Sequence, residues 1–326
     1  MTAVPRTNAI EVTTGSRLHF GLTRVAPDPA GNFGGIGVMI EQPATRLRIA
    51  PAESLKFSGS ERVEAYARQW AEFRRLPLER VHIELAESPP AHSGFGSGTQ
   101  LAHVTATALS EYFESTRPES DVVASQLNRG QRSMIGSFGF AHGGLIVDDV
   151  RRADTTPCLR KHLEMPSDWT AVLVLDSHAR KTFGQRERSA FDKLNNDADK
   201  AQRLENLIRI AILPAVKKRN FEAFSLAIEE YGKLSGDYYA AVQGGTYNGP
   251  VITEIVSTIR RLGGTGVGQS SWGPVVFSWC PDKPSAESFT TRLRSVMGPA
   301  VEIWLSPVRN QPALVQSTAL APTEAR

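Results

Sequence analysis

Residues 88–100 read SPPAHSGFGSGTQ: two prolines, then glycines at 94, 96 and 98 interleaved with Ser93, Ser97 and Thr99. Before this stretch, apolar Val81, Ile83 and Leu85 alternate with polar His82 and Glu84, which predicts a strand. After it, Leu101, Val104, Ala108, Leu109 and Tyr112 repeat at helical spacing, predicting a helix from about Thr99 with one buried stripe. A glycine loop between a strand and a helix start lets backbone N–H groups converge. The helix adds its own unsatisfied donors and partial positive charge. Ser93, Gly94, Gly96, Ser97, Gly98, Thr99 and Gln100 are therefore candidate phosphate ligands. His92, at the mouth of the loop, is a candidate catalytic residue, as donor to a phosphate or carrier of a proton. A glycine-rich turn without ligand is the alternative reading. A Walker loop would place lysine after its last glycine, where Thr99 follows Gly98, and the dinucleotide fingerprint needs a different glycine spacing.

On the N-terminal side, short runs at 9–14, 17–24 and 44–50 predict strands, separated by a Gly/Pro-rich loop at 27–40 that leads into a strand. Val63, Tyr66, Trp70 and Phe73 predict one apolar helix face. On the C-terminal side a helix is expected from about Asp121, as its N-cap, to Gly130, then a strand at 144–148. The apolar run 170–176 suits a central strand. Helices follow at about 201–218 and 220–233, and one starts at Pro250 and stops at Gly263. A second glycine-rich string, GGTGVGQSSWG (263–273), leads into a strand, with a last helix near 284–297 and a last strand at 300–306. The tail after Gln311 reads as coil. The polar, proline-punctuated stretch 151–166 is the candidate boundary between two α+β domains, 1–160 and 161–326.

The chain's 326 residues, 40% hydrophobic and 22% charged, carry the composition of a folded globule, and a net charge of +3 spread among acids argues against a nucleic-acid partner. Cys158 and Cys280 stand far apart without metal-site spacing, which favours a reducing compartment. MTAVPRTNAIEV has no apolar signal core and no long apolar run follows, so a cytoplasmic protein without a membrane partner is expected.

Other residues carry candidate chemistry. Arg17 and His19 alternate on one strand face; both are candidate catalytic groups, although a lone histidine between Leu18 and Phe20 also suits a core. Arg129 and Arg132, with Ser133, stand at an expected helix end, where guanidinium forks could bind substrate anions or simply complement the helix dipole. Gln269, Ser270, Ser271 and Trp272 could wall an aromatic substrate's pocket, or Trp272 could be core. Asp148 and Asp149 end one strand and Asp176 another. Asp148 is the candidate magnesium ligand, against ordinary turn or cap chemistry. His142 and His178 are weaker candidates.

PPAHSGFGSGTQ resembles the central motif of the GHMP superfamily of small-molecule kinases; GSRLHFGL (15–22) resembles its first motif and GGTGVGQSSWG its third. Within the superfamily, RLHFGL, HSGFGSGTQL, NRGQRSMIGSFGFAHGGLIVD (128–148), QGGTYN (243–248) and GVGQSSWGP are most similar to the β-ribofuranosylaminobenzene 5′-phosphate synthases. This resemblance implies a two-domain GHMP-kinase-like fold, ribosomal-protein-S5-like at the N-terminus and ferredoxin-like at the C-terminus. It also implies a homodimer and a pentosyltransferase of methanopterin biosynthesis. That enzyme would join phosphoribosyl pyrophosphate to 4-aminobenzoate, or a close 4-hydroxybenzoate analogue, releasing CO2 and pyrophosphate. Mg2+ accompanies the pyrophosphate and no organic cofactor is implied. The kinases commonly carry an aspartate in a Ser-Gly-x-Asp string, for which Ser133-Met134-Ile135-Gly136 offers no carboxylate. An ATP-dependent GHMP-type kinase and a non-catalytic binder of phosphorylated metabolites remain the other readings.

Overall fold

The computed structural model describes residues 8–24, 34–148, 159–179, 189 and 197–318. Two sheets organise the chain. The first has seven strands in the order β11-β1-β2-β4-β3, with β5 on the other half of β2 and β6 beside β5. Its members are β1 (Ala9–Arg24), β2 (Gly34–Pro51), β3 (Lys56–Ser58), β4 (Val81–Glu87), β5 (Leu145–Asp148), β6 (Leu159–Leu163) and β11 (Leu314–Thr318). The second has four strands in the order β10-β7-β9-β8, from β7 (Thr170–Asp176), β8 (Thr265–Gln269), β9 (Val276–Cys280) and β10 (Val301–Pro307).

The short runs expected at 9–14 and 17–24 are one long strand, continuous through a register shift between Thr14 and Ser16. The stretch 34–40, expected as the end of a loop, is strand from Gly34 and joins the run at 44–50 in β2, whose first half pairs with β5 and second half with β4. Long strands that change partner break the local alternation on which a short-strand reading depends. The expected boundary at 160/161 falls inside β6, which pairs with β5 in the first sheet. The chain also returns to that sheet at its far end: β11 pairs with β1 from Ala9↔Thr318 to Thr13↔Leu314, where coil was expected.

Helix α1 (Glu61–Arg74) starts at Ser60, whose hydroxyl accepts the Arg62 N–H, and stops at Arg75 in a left-handed conformation. Val63, Ala67, Trp70 and Ala71 bury its inner face, whereas Phe73, read as part of that face, is 44% exposed. Helix α2 (Ser97–Glu114) departs further from expectation. It is buried almost all round rather than along one stripe, because α1, β1, β2, α3 (Ser120–Gln126) and α4 (Ile135–His142) all pack on it. Its polar residues find partners inside: Ser110 accepts the Trp70 indole N–H at 3.0 Å, and Thr105 donates to Leu101 O at 2.7 Å. The cap of α3 is Glu119 rather than Asp121.

The remaining helices follow in the second half of the chain. α5 (Ala198–Asn206) runs through a π-helical stretch, Leu207–Ile212, into α6 (Leu213–Lys217). α7 (Phe221–Gly236), α8 (Ala240–Gln243), α9 (Pro250–Arg261) and α10 (Lys283–Arg294) follow. β7 is central, as its apolar run demands, with Thr170 to Leu175 buried. The largest core cluster joins the two sheets, running from Leu18, Phe20, Ile36 and Val38 to Trp169, Leu173, Phe224, Tyr231 and Phe277. Among the described residues no helix is long and apolar enough to cross a membrane.

Candidate functional site

The three glycine-bearing strings meet at one junction between the sheets. The Arg17 N–H donates to Phe95 O at 2.9 Å, and the Val275 N–H donates to Ser93 O at 3.0 Å. The Ser270 hydroxyl accepts the His19 N–H at 2.9 Å and donates to Gly94 O at 2.7 Å, and the Ser271 N–H donates to His19 O at 3.0 Å. One buried hydroxyl thus ties the first strand, the central loop and the third loop together. Gly94 has to be glycine here: its φ is +93°, and a Cβ would lie 2.7 Å from Ser270 O.

Above this junction opens a cleft of about 560 Å3, within the usual range for small-molecule sites. His92, Ser93, Gly94, Gly96, Ser97, Gly98 and Thr99 line it, together with Arg17, Arg62, Arg129, Arg132 and Ser133. Four arginines face it, and no Asp or Glu among the described residues does. The glycines make room for them: a Cβ at Gly96 would sit 3.2 Å from Arg17 Nε, and one at Gly98 would sit 2.5 Å from Arg62 Nη2 and 3.3 Å from Arg129 Nη2. Like charges gathered in one place repel one another, and an anionic ligand relieves that repulsion.

The other end of the cleft is aromatic and amidic. Tyr239 and Trp272 meet edge to face with ring centroids 4.6 Å apart, and Tyr247, Gln243 and Gln269 stand nearby on the cleft wall. α7 completes that wall with Gly232, Ser235 and Gly236. The third loop is held from beneath by Asn248: its backbone N–H donates to Gln269 Oε1 and its side-chain amide donates to Trp272 O, both at 2.8 Å.

Two buried ionisable groups frame the site. His19 is 4% exposed and its Nδ1 accepts the Gly21 N–H at 3.1 Å, so the neutral ring carries its proton on Nε2. Burial, and secondarily the charge of Arg17, hold its pKa well below the usual histidine value. A neutral His19 contributes shape and a hydrogen bond at the cleft edge rather than charge. Asp148 is 4% exposed and does not line the cleft. Its Oδ1 accepts the Gly35 N–H at 2.6 Å and its Oδ2 the Met134 N–H at 2.7 Å. Burial pushes its carboxyl up to about 6, against hydrogen bonds from Ser133, Met134 and Gly35 that pull it down. The expected magnesium ligand therefore has both oxygens engaged by the backbone, under the loop that carries Arg129, Arg132 and Ser133. Among the described residues no group of three or more His, Cys, Asp or Glu side chains could hold a metal.

Three further expectations change. Gln100 is fully buried away from the cleft: it accepts from the Thr14 hydroxyl at 3.1 Å and donates to Gly136 O at 2.8 Å, fixing α2 to β1 and α4. Ser270 is the buried tie described above rather than part of the pocket wall, whereas Gln269, Ser271 and Trp272 line the cleft. His142 packs against His162 at 5.6 Å, and exposed His178 pairs with Asp176 at 3.2 Å; none of these lines the cleft. Cys280 is buried, with its thiol pushed up to about 11 by burial. Asp149 and Cys158 lie outside the described residues.

Residues that the sequence reading left without a role are Arg62, Tyr239, Gln243 and Tyr247. Arg62 carried a signal, since a cation in the first turn of a helix opposes the helix dipole. Gln243 and Tyr247 belong to the QGGTYN string.

Comparison with known proteins accords with this architecture. Residues 212–298 match the family model described as GHMP kinases C terminal. The β-ribofuranosylphenol 5′-phosphate synthase of Methanothermobacter thermautotrophicus is 26% identical over 314 residues, covering 88% of this chain and 93% of that protein. The protein of the same name from Archaeoglobus fulgidus is 27% identical over 288 residues, covering 82% and 87%. Among solved structures, mevalonate pyrophosphate decarboxylase from Streptococcus pyogenes superposes with a TM-score of 0.68 at 16% identity, over 94% of this chain and 98% of that one. A putative homoserine kinase from Listeria monocytogenes superposes at 0.65 with 13% identity, over 94% and 99%. The chain has the α+β fold of the GHMP kinases, and by sequence it is a relative of the β-ribofuranosylphenol 5′-phosphate synthases.

Proposed function

We propose that this protein is an enzyme, a decarboxylating pentosyltransferase that joins phosphoribosyl pyrophosphate to a 4-substituted benzoate. The observation that carries this reading is the two-ended cleft: four arginines without an acidic residue among the described lining at one end, and the Tyr239–Trp272 rings at the other. A sugar bearing two anionic groups suits the first end and a flat aromatic acid the second. The archaeal relatives' name specifies a ribofuranosylphenol 5′-phosphate product, which is the ring–sugar connection this chemistry yields.

In the reaction, the C1–O bond to pyrophosphate breaks and leaves positive charge on the sugar. An amino or hydroxyl group para to the carboxylate enriches the ring carbon that bears it. That carbon attacks C1, and loss of CO2 restores aromaticity, so no oxidant or covalent enzyme nucleophile is required. The protein's contribution is to neutralise the departing pyrophosphate, orient the ring and exclude water. We assign Arg17, Arg129 and Arg132 to the anionic groups, with Ser93, Ser97 and Thr99 as hydroxyl donors and His92 as a donor at the cleft mouth. Mg2+, accompanying the pyrophosphate, would supply further neutralisation of the leaving group's charge. A role in methanopterin biosynthesis, in the cytoplasm and as a homodimer, belongs to the same proposal.

Incubation with carboxyl-labelled 4-aminobenzoate or 4-hydroxybenzoate and phosphoribosyl pyrophosphate tests it: labelled CO2 should appear in step with pyrophosphate. ADP release from ATP with a small alcohol acceptor, and no CO2 from either benzoate, would favour the kinase reading instead. Binding of phosphorylated sugars without any turnover would leave a non-catalytic binder.

A further inference from the structure

Arg62 is the one cleft arginine outside the three glycine-bearing strings and the 128–148 segment, and its position relative to the loop divides the anionic end in two. Along the loop the order is Gly94, which packs on Ser270 and Gly273 beside Trp272; then Gly96, against the Arg17 guanidinium; then Gly98, where Arg62 and Arg129 meet. The last two guanidinium groups both come within 3.3 Å of a single point above Gly98. Among the described residues the Arg62 guanidinium has only the Tyr66 hydroxyl, at 3.5 Å, and Arg129 Nε is buried without a hydrogen-bond partner. Several arginines elsewhere in the fold pair with acids, as Arg74 does with Glu114 at 2.8 Å and Arg260 with Glu229 at 2.8 Å. Two guanidinium groups facing each other over a glycine, with no carboxylate of the described residues between them, have the form of a clamp for one tetrahedral oxyanion.

We infer that the cleft contains two distinct anion subsites, and that Arg62 and Arg129 across Gly98 form the subsite for a sugar 5′-phosphate, with the pyrophosphate nearer Arg17. This rests on the reading of the substrate as phosphoribosyl pyrophosphate. The assignment follows from where bonds must form. C1 carries the pyrophosphate and must reach the aromatic acceptor, so the leaving group lies at the Gly94 end, beside Trp272. The 5′-phosphate projects from the other side of the ribose and reaches the far end of the loop.

Calorimetric titration with ribose 5-phosphate and with inorganic pyrophosphate, as separate probes, tests the division. Arg62→Gln should weaken ribose 5-phosphate by about tenfold or more and leave pyrophosphate within about twofold. Gly98→Ala should act in the same way without loss of stability. Its Cβ would displace Arg62 Nη2, the free end of a flexible side chain, while alanine favours the helix. Arg17→Gln should show the reverse preference. Weakened pyrophosphate with unchanged ribose 5-phosphate in Arg62→Gln would overturn the assignment, and so would no change in either. A wild-type protein that binds neither probe would end both this inference and the synthase reading. Arg62-dependent binding of ribose 5-phosphate in a protein that releases no CO2 would sustain the clamp and end the synthase reading alone.

Discussion

The two glycine-rich loops look alike as strings and do opposite work. In the central loop, the Cβ atoms missing at Gly96 and Gly98 would fall against arginine side chains, on the side that lines the cleft. In the third loop, a Cβ at Gly268 would fall 2.5 Å from Phe277 Cζ, and one at Gly266 3.2 Å from Trp279, inside the protein. The first set of glycines admits charge to a cleft; the second admits aromatic rings to a core. Glycine density therefore marks close approach, and what approaches is decided elsewhere in the chain. Gly94 is the exception in the first loop, because it faces the backbone of the third.

Substitutions in and around the two loops test this contrast. The largest effect on stability is expected at the joint. Gly94→Val forces a β-branched residue to φ +93° against Ser270 O and Val275, and should destabilise by about 4 kcal/mol or more, with loss of all ligand binding. Thermal unfolding within a few degrees of wild type would show that the two loops are not joined there.

Next comes Asp148, which supports the arginine-bearing segment from outside both loops. Its folded pKa of about 6 lies above the unfolded value of 3.8, so its contribution to stability is full below about pH 4 and is lost as pH rises through 6. Denaturant unfolding of wild type should show that loss, on the order of 2–3 kcal/mol across the window. Asp148→Asn should flatten the slope, and an unchanged slope in the variant would assign it to another group.

Gly268→Ala should cost about 1–3 kcal/mol by overpacking Phe277 while leaving affinity for ribose 5-phosphate unchanged. A loss of affinity without a loss of stability would make the third loop a cradle like the first. The smallest stability change, with the opposite sign, is expected for Ser97→Asp. A carboxylate in the first turn of α2 favours the helix by about 0.3–1 kcal/mol, and more if it pairs with an arginine, yet it occupies the anion site. Unfolding temperature should rise slightly as phosphate affinity collapses. Unimpaired affinity would remove Ser97 from the site.

The sequence alone determined the elements whose signals are local. The strand–glycine loop–helix unit at 81–114, the apolar run of β7, and the start of α9 at Pro250 all follow from period and punctuation along the chain. The same strings placed most of the loop residues, Arg17, Arg129, Arg132 and Trp272 on one cleft. Tertiary structure decided what depends on residues distant in the chain. β11 pairs with β1 across some three hundred residues, and α2 is buried all round because five elements close over it. Ser270 and Gln100 are ties rather than ligands, and Asp148 spends both oxygens on Gly35 and Met134, because their partners stand far away in sequence. Arg62 enters the cleft only because α1 docks beside Gly98. A side chain's chemistry is written in its identity, but whether it meets solvent, a ligand or a buried backbone group depends on which segments fold against it, and that is a property of the packed molecule.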